Sequence, residues 1–138
     1  MKTLAITVAS RTFLARLEQN RAPQTCAQFL ALLPYTQKLI HVRWSGEACW
    51  IPLGDFRLPV GIENATSYPA AGEILFYPGG LSETEILLPY GPTRFASKMG
   101  QLAGNHFLTV IEGKEHLQDL GKTVLWQGAQ EIVFSEAE

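Results

Sequence analysis

The chain has 138 residues and a formal net charge of -2, from 11 basic and 13 acidic side chains. That length buries a substantial core without disulfide or metal staples, and the interspersed charge leaves no basic stripe, so no nucleic-acid partner is expected. No apolar run approaches the roughly 18 residues of a membrane span, and Cys26 and Cys49 lie in neither a CxxC nor a Cys/His spacing. The expected setting is therefore reducing and cytoplasmic, with no membrane association.

Met1–Val8 alternates polar and apolar residues with no continuous apolar block, which reads as a strand rather than a secretion signal. Leu4, Ile6 and Val8 share one face; after Ala9-Ser10-Arg11 the pattern resumes with Phe13, Ala15 and Leu17, giving an N-terminal β-hairpin. From Ala22 the period changes. Pro23 suits a first helical turn, where its missing N–H has no bond to make, and Cys26, Phe29, Leu30 and Leu33 recur at helical spacing. The spacing predicts a helix over about 23–33, stopped by Pro34.

Lys38–Trp44 alternates again, with Ile40, Val42 and Trp44 on one face and His41 and Arg43 on the other. Ser45-Gly46-Glu47 turns the chain into a returning strand, Ala48–Leu53. Residues 54–71 are rich in proline and glycine and have no sustained period, so they read as a long loop. The stretch 72–91 is the clearest hairpin. Ile74–Tyr77 runs apolar, Pro78-Gly79-Gly80 breaks it, and Glu83–Tyr90 returns with Glu83 and Glu85 on one face and Thr84, Ile86 and Leu88 on the other. Residues 92–105 form a second irregular segment. His106–Glu112 is strand-like, a short helix is expected over about 114–120 with Gly121 as its stop, and Thr123–Gln127 and Glu131–Phe134 read as the last strands. No repeat or linker divides the chain, so one domain over 1–138 is expected, mainly β: a closed antiparallel barrel of about eight strands with helical plugs, its function carried by loops.

The segment Ala22-Pro23-Gln24-Thr25 leading to Phe29-Leu30 resembles the first helix of cyclophilins, which opens APxT and continues to NFxxL. Arg43-Trp44-Ser45-Gly46-Glu47, Gly72–Gly80, Tyr90-Gly91-Pro92-Thr93 and the Gly113–Leu120 helix resemble small bacterial and archaeal cyclophilin-like proteins of uncharacterised function. The resemblance spans nearly the whole chain and implies a cyclophilin-like barrel. Arg43 stands near the place of the arginine that prolyl isomerases of the cyclophilin family carry. The strand after it, Ala48–Asp55, departs from their FMxQGGD-like pattern, and no segment resembles their FxMAN.

The candidate site residues follow from side-chain chemistry. Arg43 offers a guanidinium fork for a carboxylate beside the aromatic Trp44, with His41 as a titratable neighbour. Trp50, Tyr77 and Tyr90 supply further aromatic walls, so a groove holding a small anionic or amide-containing metabolite is one reading. Glu83 and Glu85, at i and i+2 on a strand, are candidate acid/base carboxylates, and His106, preceded by Asn105 at a loop-to-strand junction, is a candidate for proton transfer. These support a second reading, an enzyme acting on a small amide or carbonyl compound. Prolyl isomerase activity and an oligomer subunit are the remaining alternatives. Gly79-Gly80 has no helix after it and so is a turn, not a phosphate loop. His41, His106 and His116 lack metal-ligand spacing, so no metal or cofactor is expected; Cys26 reads as a core residue and His116 as a surface one.

Overall fold

The computed structural model describes residues 2–137. Strands β1 (Thr3–Val8) and β2 (Arg11–Leu17) form the expected hairpin, with Leu4, Ile6, Val8, Phe13, Ala15 and Leu17 at most 4% exposed. Helix α1 (Pro23–Leu30) follows. It is shorter than the expected 23–33. Its last turn closes through Leu32 and Leu33 N–H bonds to Phe29 and Leu30 O, and Glu63 Oε2 accepts from both the N–H and hydroxyl of Thr25, satisfying a first-turn donor.

Strand β3 spans Tyr35–His41 and β4 spans Gly46–Gly54. The expected strand 38–44 is thus displaced toward the N-terminus. Residues 35–37 are recruited by cross-strand partners Phe134, Val133 and Ile132, which no local pattern reveals, while the chain leaves the ladder after Val42, whose N–H still bonds Ala48 O, and the Ser45 hydroxyl bonds both Ala96 N–H and Ala96 O at 3.0 Å. The 54–71 loop contains only a two-residue strand, β5 (Ala65–Thr66). The central hairpin is β6 (Glu73–Tyr77) and β7 (Thr84–Thr93), reversed through Gly79 and Gly80 at φ +94° and +130°, values that an L side chain rarely adopts. In the irregular segment, β8 (Ala96–Ser97) and β9 (Gly100–Gln101) pair as a small hairpin flap. Strand β10 spans Gly104–Glu112.

The largest departure lies near the C-terminus. A short 3-10 turn over Lys114–His116 runs into helix α2 (Leu117–Gln127), so the expected strand Thr123–Gln127 is helical and Gly121 sits inside the helix instead of ending it. Leu117, Leu120, Gly121 and Val124 form its buried stripe. Gly121 is there for space: a Cβ at that position would lie 2.5 Å from ring atoms of Tyr90. The β-branched and aromatic run Thr-Val-Leu-Trp reads locally as strand, but burial of Val124 against the barrel decides for helix. The helix ends at Gly128, φ +89°, and β11 (Gln130–Glu136) completes the chain.

The main strands pair antiparallel in the order β2-β1-β11-β3-β4-β7-β6-β10, and β2–β10 pairing closes them into an eight-stranded barrel, with β5 added beside β10. Inside, Phe29 packs edge-on against Phe107 and Phe134 with ring centroids 5.1 Å apart. A second, smaller core lies outside the barrel wall. Ala48, Leu75, Tyr77 and Leu87 face outward there and are covered by Phe95 and Leu102, which flank the β8–β9 flap. Both faces of β6 and β7 are therefore buried, which is why Ile74–Tyr77 runs apolar without alternation. Neither helix among the described residues is long and apolar enough to cross a membrane.

Candidate functional site

The outer face of the barrel is laid out by strand register. Ile40, Trp50, Leu87 and Leu75 form one cross-strand row, and Pro52, Glu85 and Tyr77 form the next on that face. Over these rows the flap is anchored by the wholly buried Phe95, whose ring meets Tyr77 edge-on at 5.8 Å, and by the two Ser45–Ala96 bonds. Between sheet and flap remains a pocket of about 300 Å³, at the lower end of the roughly 300–1,000 Å³ usual for small-molecule sites. Its floor is Ile40, Trp50 and Glu85. The chain leaving β3, from His41 through Ser45, forms one wall; Ser82 and Glu83 form a second; Ala96, Ser97 and Lys98 of the flap form a third.

The pocket is electrostatically divided. Arg43 and Lys98 are exposed at its rim, and neither forms an ion pair among the described residues. Glu85, by contrast, is only 4% exposed. Burial pushes its carboxyl up to about 8, and the charge of Glu83 adds to the rise. Glu83 itself accepts the Gly54 N–H at 2.9 Å, which ties the β6–β7 turn to the end of β4. Trp44 is 55% exposed and gives the rim an aromatic surface, while Trp50 is half-buried in the floor.

The His41 ring reaches inward. Its Nδ1 lies 2.9 Å from Val42 O, which can only accept, so Nδ1 carries a proton, and Nε2 lies 2.7 Å from the Tyr90 hydroxyl. Tyr90 belongs to the barrel interior, where it also backs helix α2, and its hydroxyl is held above the ordinary range by burial, with Cys49 and Glu47 adding.

Of the residues singled out in the sequence, the structure brings Arg43, Trp44, Trp50, Glu83 and Glu85 to one pocket, with His41 on its wall. Tyr77, Tyr90, Asn105 and His106 lie elsewhere. The Tyr77 hydroxyl accepts the N–H groups of Leu81 and Ser82 and so shapes the hairpin turn. Asn105 is buried and fastens the 54–64 loop, donating to Gly61 O and the Thr25 hydroxyl and accepting from Glu63 N–H. His106 lies 2.7 Å from the Thr109 hydroxyl, which donates to Glu18. Glu18 is a paired carboxylate: burial works against its ionisation, but the Thr109 and Arg16 hydrogen bonds and the Arg16 and His106 charges outweigh burial and hold it below the usual range. Cys26 and Cys49 are buried thiols pushed up to about 12 by desolvation, hence un-ionised. Among the described residues no three His, Cys, Asp or Glu side chains converge on a common metal position.

Ser45, Ser82 and Lys98 belong to the pocket and were not singled out in the sequence. For Lys98 a signal existed. Phe95 and Leu102 are large apolar residues near the two ends of an irregular segment broken by Gly100, the pattern of a flap that docks at both ends and exposes its tip, where Met99 is exposed.

The closed eight-stranded antiparallel barrel with its two helices is a cyclophilin-like fold. More narrowly, the chain belongs to the family described as protein of unknown function (DUF3830), whose model matches residues 4–136. Among the curated proteins nothing matches in sequence. Solved structures that share the fold include the following three. McbB, solved in complex with tryptophan, is 18% identical with a TM-score of 0.73, over 97% of this chain; the chain spans only 44% of McbB. The hypothetical protein AF2241 of Archaeoglobus fulgidus is 17% identical with a TM-score of 0.63, over 99% of this chain and 95% of that one. A cyclophilin-type peptidyl-prolyl cis-trans isomerase of Cryptosporidium parvum, solved in the presence of the dipeptide Ala-Pro, is 15% identical with a TM-score of 0.58, over 98% and 96% of the two chains. At these identities the likeness is one of fold.

Proposed function

We infer that this protein binds a small anionic or amide-containing metabolite in the pocket beneath the β8–β9 flap. The observation that carries this is the pair of cations without acidic partners among the described residues, Arg43 and Lys98, at the mouth of a 300 Å³ cavity lined by Trp44 and Trp50. Exposed cations are ordinary; here two of them share a concave, aromatic-walled site. A guanidinium fork takes a carboxylate with two parallel hydrogen bonds, and indole faces hold a flat ligand body. McbB was solved with tryptophan bound, a small molecule carrying a carboxylate, which is compatible with this reading.

The test is a thermal-shift screen against carboxylates, ureas and cyclic amides, with Arg43→Ala run in parallel. A ligand at a hundredfold excess over its Kd raises stability by about 2.7 kcal/mol. Arg43→Ala is expected to keep the fold, because Arg43 is exposed, and to lose at least tenfold in affinity for any anionic hit. Unchanged affinity sinks the reading.

One observation supports an enzymatic role in the same pocket. A carboxyl pushed up to about 8 exchanges its proton near neutral pH, as a general acid or base must, and Glu85 opens on the cavity. Turnover of a small amide or carbonyl compound lost in Glu85→Gln, with binding kept, is the result this second reading requires.

A further inference from the structure

Glu85 is the one deeply buried charged-type side chain of the pocket, and its surroundings leave it without a partner. Across the sheet it faces Pro52 on β4, which has no N–H to offer, and Tyr77 on β6, whose hydroxyl oxygen is taken up by Leu81 and Ser82. Among the described residues no hydrogen bond or opposite charge shifts its carboxyl. Among the described residues no fully enclosed side-chain oxygen lacks a partner, so the unpaired Glu85 oxygens open on the pocket. The other charged or titratable groups around the cavity are Glu83 from the turn, His41 and Arg43 from the chain leaving β3, and Lys98 from the flap. Glu83 repels an ionised Glu85, the His41 ring is engaged by Val42 O and the Tyr90 hydroxyl, and the two cations sit at the rim. Arg57, from the adjoining loop, is engaged by Thr84 Oγ1 and Phe56 O. Burial and the charge of Glu83 therefore favour the uncharged acid.

We propose that Glu85 reads the ligand as a neutral carboxylic acid, donating its O–H to a carbonyl and accepting an N–H from the same edge. The pocket then selects a terminal or cyclic amide whose N–H and C=O lie on one side. This rests on the pocket reading above and gives the ligand its second end, an amide edge at the floor with an anionic group at the Arg43 rim. A neutral carboxyl and such an amide satisfy each other with two hydrogen bonds, and an unmade bond to a buried polar group is costly, so discrimination falls on the edge that lacks the N–H. The competing occupant is a cation, which would call for the ionised form of Glu85. The two differ in sign with pH.

The probes are glutaramate, its N,N-dimethyl amide and 5-aminopentanoate, which share a chain with a terminal carboxylate and differ in the far group. Binding is read from the fluorescence of Trp44 and Trp50 in a Trp126→Phe background, since Trp126 is 82% exposed on α2, outside the pocket. Glutaramate affinity is expected to hold up to about pH 7 and to fall roughly thirtyfold by pH 9.5 as the acid ionises. The dimethyl amide is expected to bind at least tenfold more weakly, and Glu85→Gln, which keeps a donor and an acceptor, to retain glutaramate binding with a flat pH profile. Tighter binding of 5-aminopentanoate, strengthening as pH rises, overturns the proposal. So does Arg43-dependent binding of glutaramate that ignores pH, which leaves the pocket reading standing. If none of the three binds, the pocket reading falls and this one with it.

Discussion

The sharpest consequence of the Glu85 environment is for stability, before any ligand is known. In the folded chain its carboxyl is pushed up to about 8 from an ordinary 4.5. Between those values the folded state holds a proton that the unfolded state has released. Raising the pH then works against folding: the stability present below pH 4.5 declines through this window and levels off above pH 8. At about 1.4 kcal/mol per pH unit, the loss reaches about 3 kcal/mol by pH 7. Glu85→Gln has nearly the same shape and cannot ionise, so it removes this component alone. Its stability should match the parent at pH 4.5 and exceed it by about 3 kcal/mol at pH 7, equivalent to about 10 °C in Tm for a chain of this size. Urea denaturation of both proteins at the two pH values measures the difference directly. A difference that does not change with pH shows that Glu85 titrates normally, and the reasoning about its surroundings is then wrong. A site residue that costs the fold this much is the kind of local conflict expected where function holds a residue in place.

Three further outcomes follow from the packing. Gly121→Ala should lower stability by about 1–3 kcal/mol in thermal melts despite alanine's helix propensity, because the added Cβ meets the Tyr90 ring at 2.5 Å; a stabilised variant contradicts the packing argument. Ser45→Ala removes both bonds to Ala96 and should cost about 1–2 kcal/mol, with faster amide exchange at Ala96 and Leu102 than in β1 and β11; uniform exchange would show that the flap is held otherwise. Asn105→Ala leaves the Gly61 carbonyl and the Glu63 N–H without their partner, and about 1–3 kcal/mol of destabilisation is expected, accompanied by proteolytic sensitivity confined to residues 54–64.

Much of the fold was legible because its signals are local. The alternation of Leu4-Ile6-Val8 and Phe13-Ala15-Leu17, the Pro23 start of α1 and the Gly79-Gly80 reversal each state a preference that the tertiary structure obeys. Where the reading failed, a distant partner decided. Gly121 looks like a helix stop until the Tyr90 ring takes the space its missing side chain leaves, and Tyr35–Gln37 shows no strand pattern until β11 pairs with it.

The same division holds at the site. The side-chain types at Arg43, Trp44, Trp50, Glu83 and Glu85 announce a polar, aromatic-walled pocket, and strand parity puts the two glutamates on one face. What sequence alone could not determine is which of these side chains stay wet. Glu83 and Glu85 are two residues apart and chemically identical, yet one is exposed and bonded to Gly54 while the other is buried between Pro52 and Tyr77 beneath the β8–β9 flap. Desolvation belongs to the volume around a group, not to the group. The sequence by itself announced the barrel, its main hairpins and the side-chain types at Arg43, Trp44, Trp50, Glu83 and Glu85; only the tertiary structure, by docking Phe95 and Leu102 onto the outer wall, separated these from Tyr77, Tyr90, Asn105 and His106, added Lys98, and buried Glu85 so that its carboxyl is pushed up.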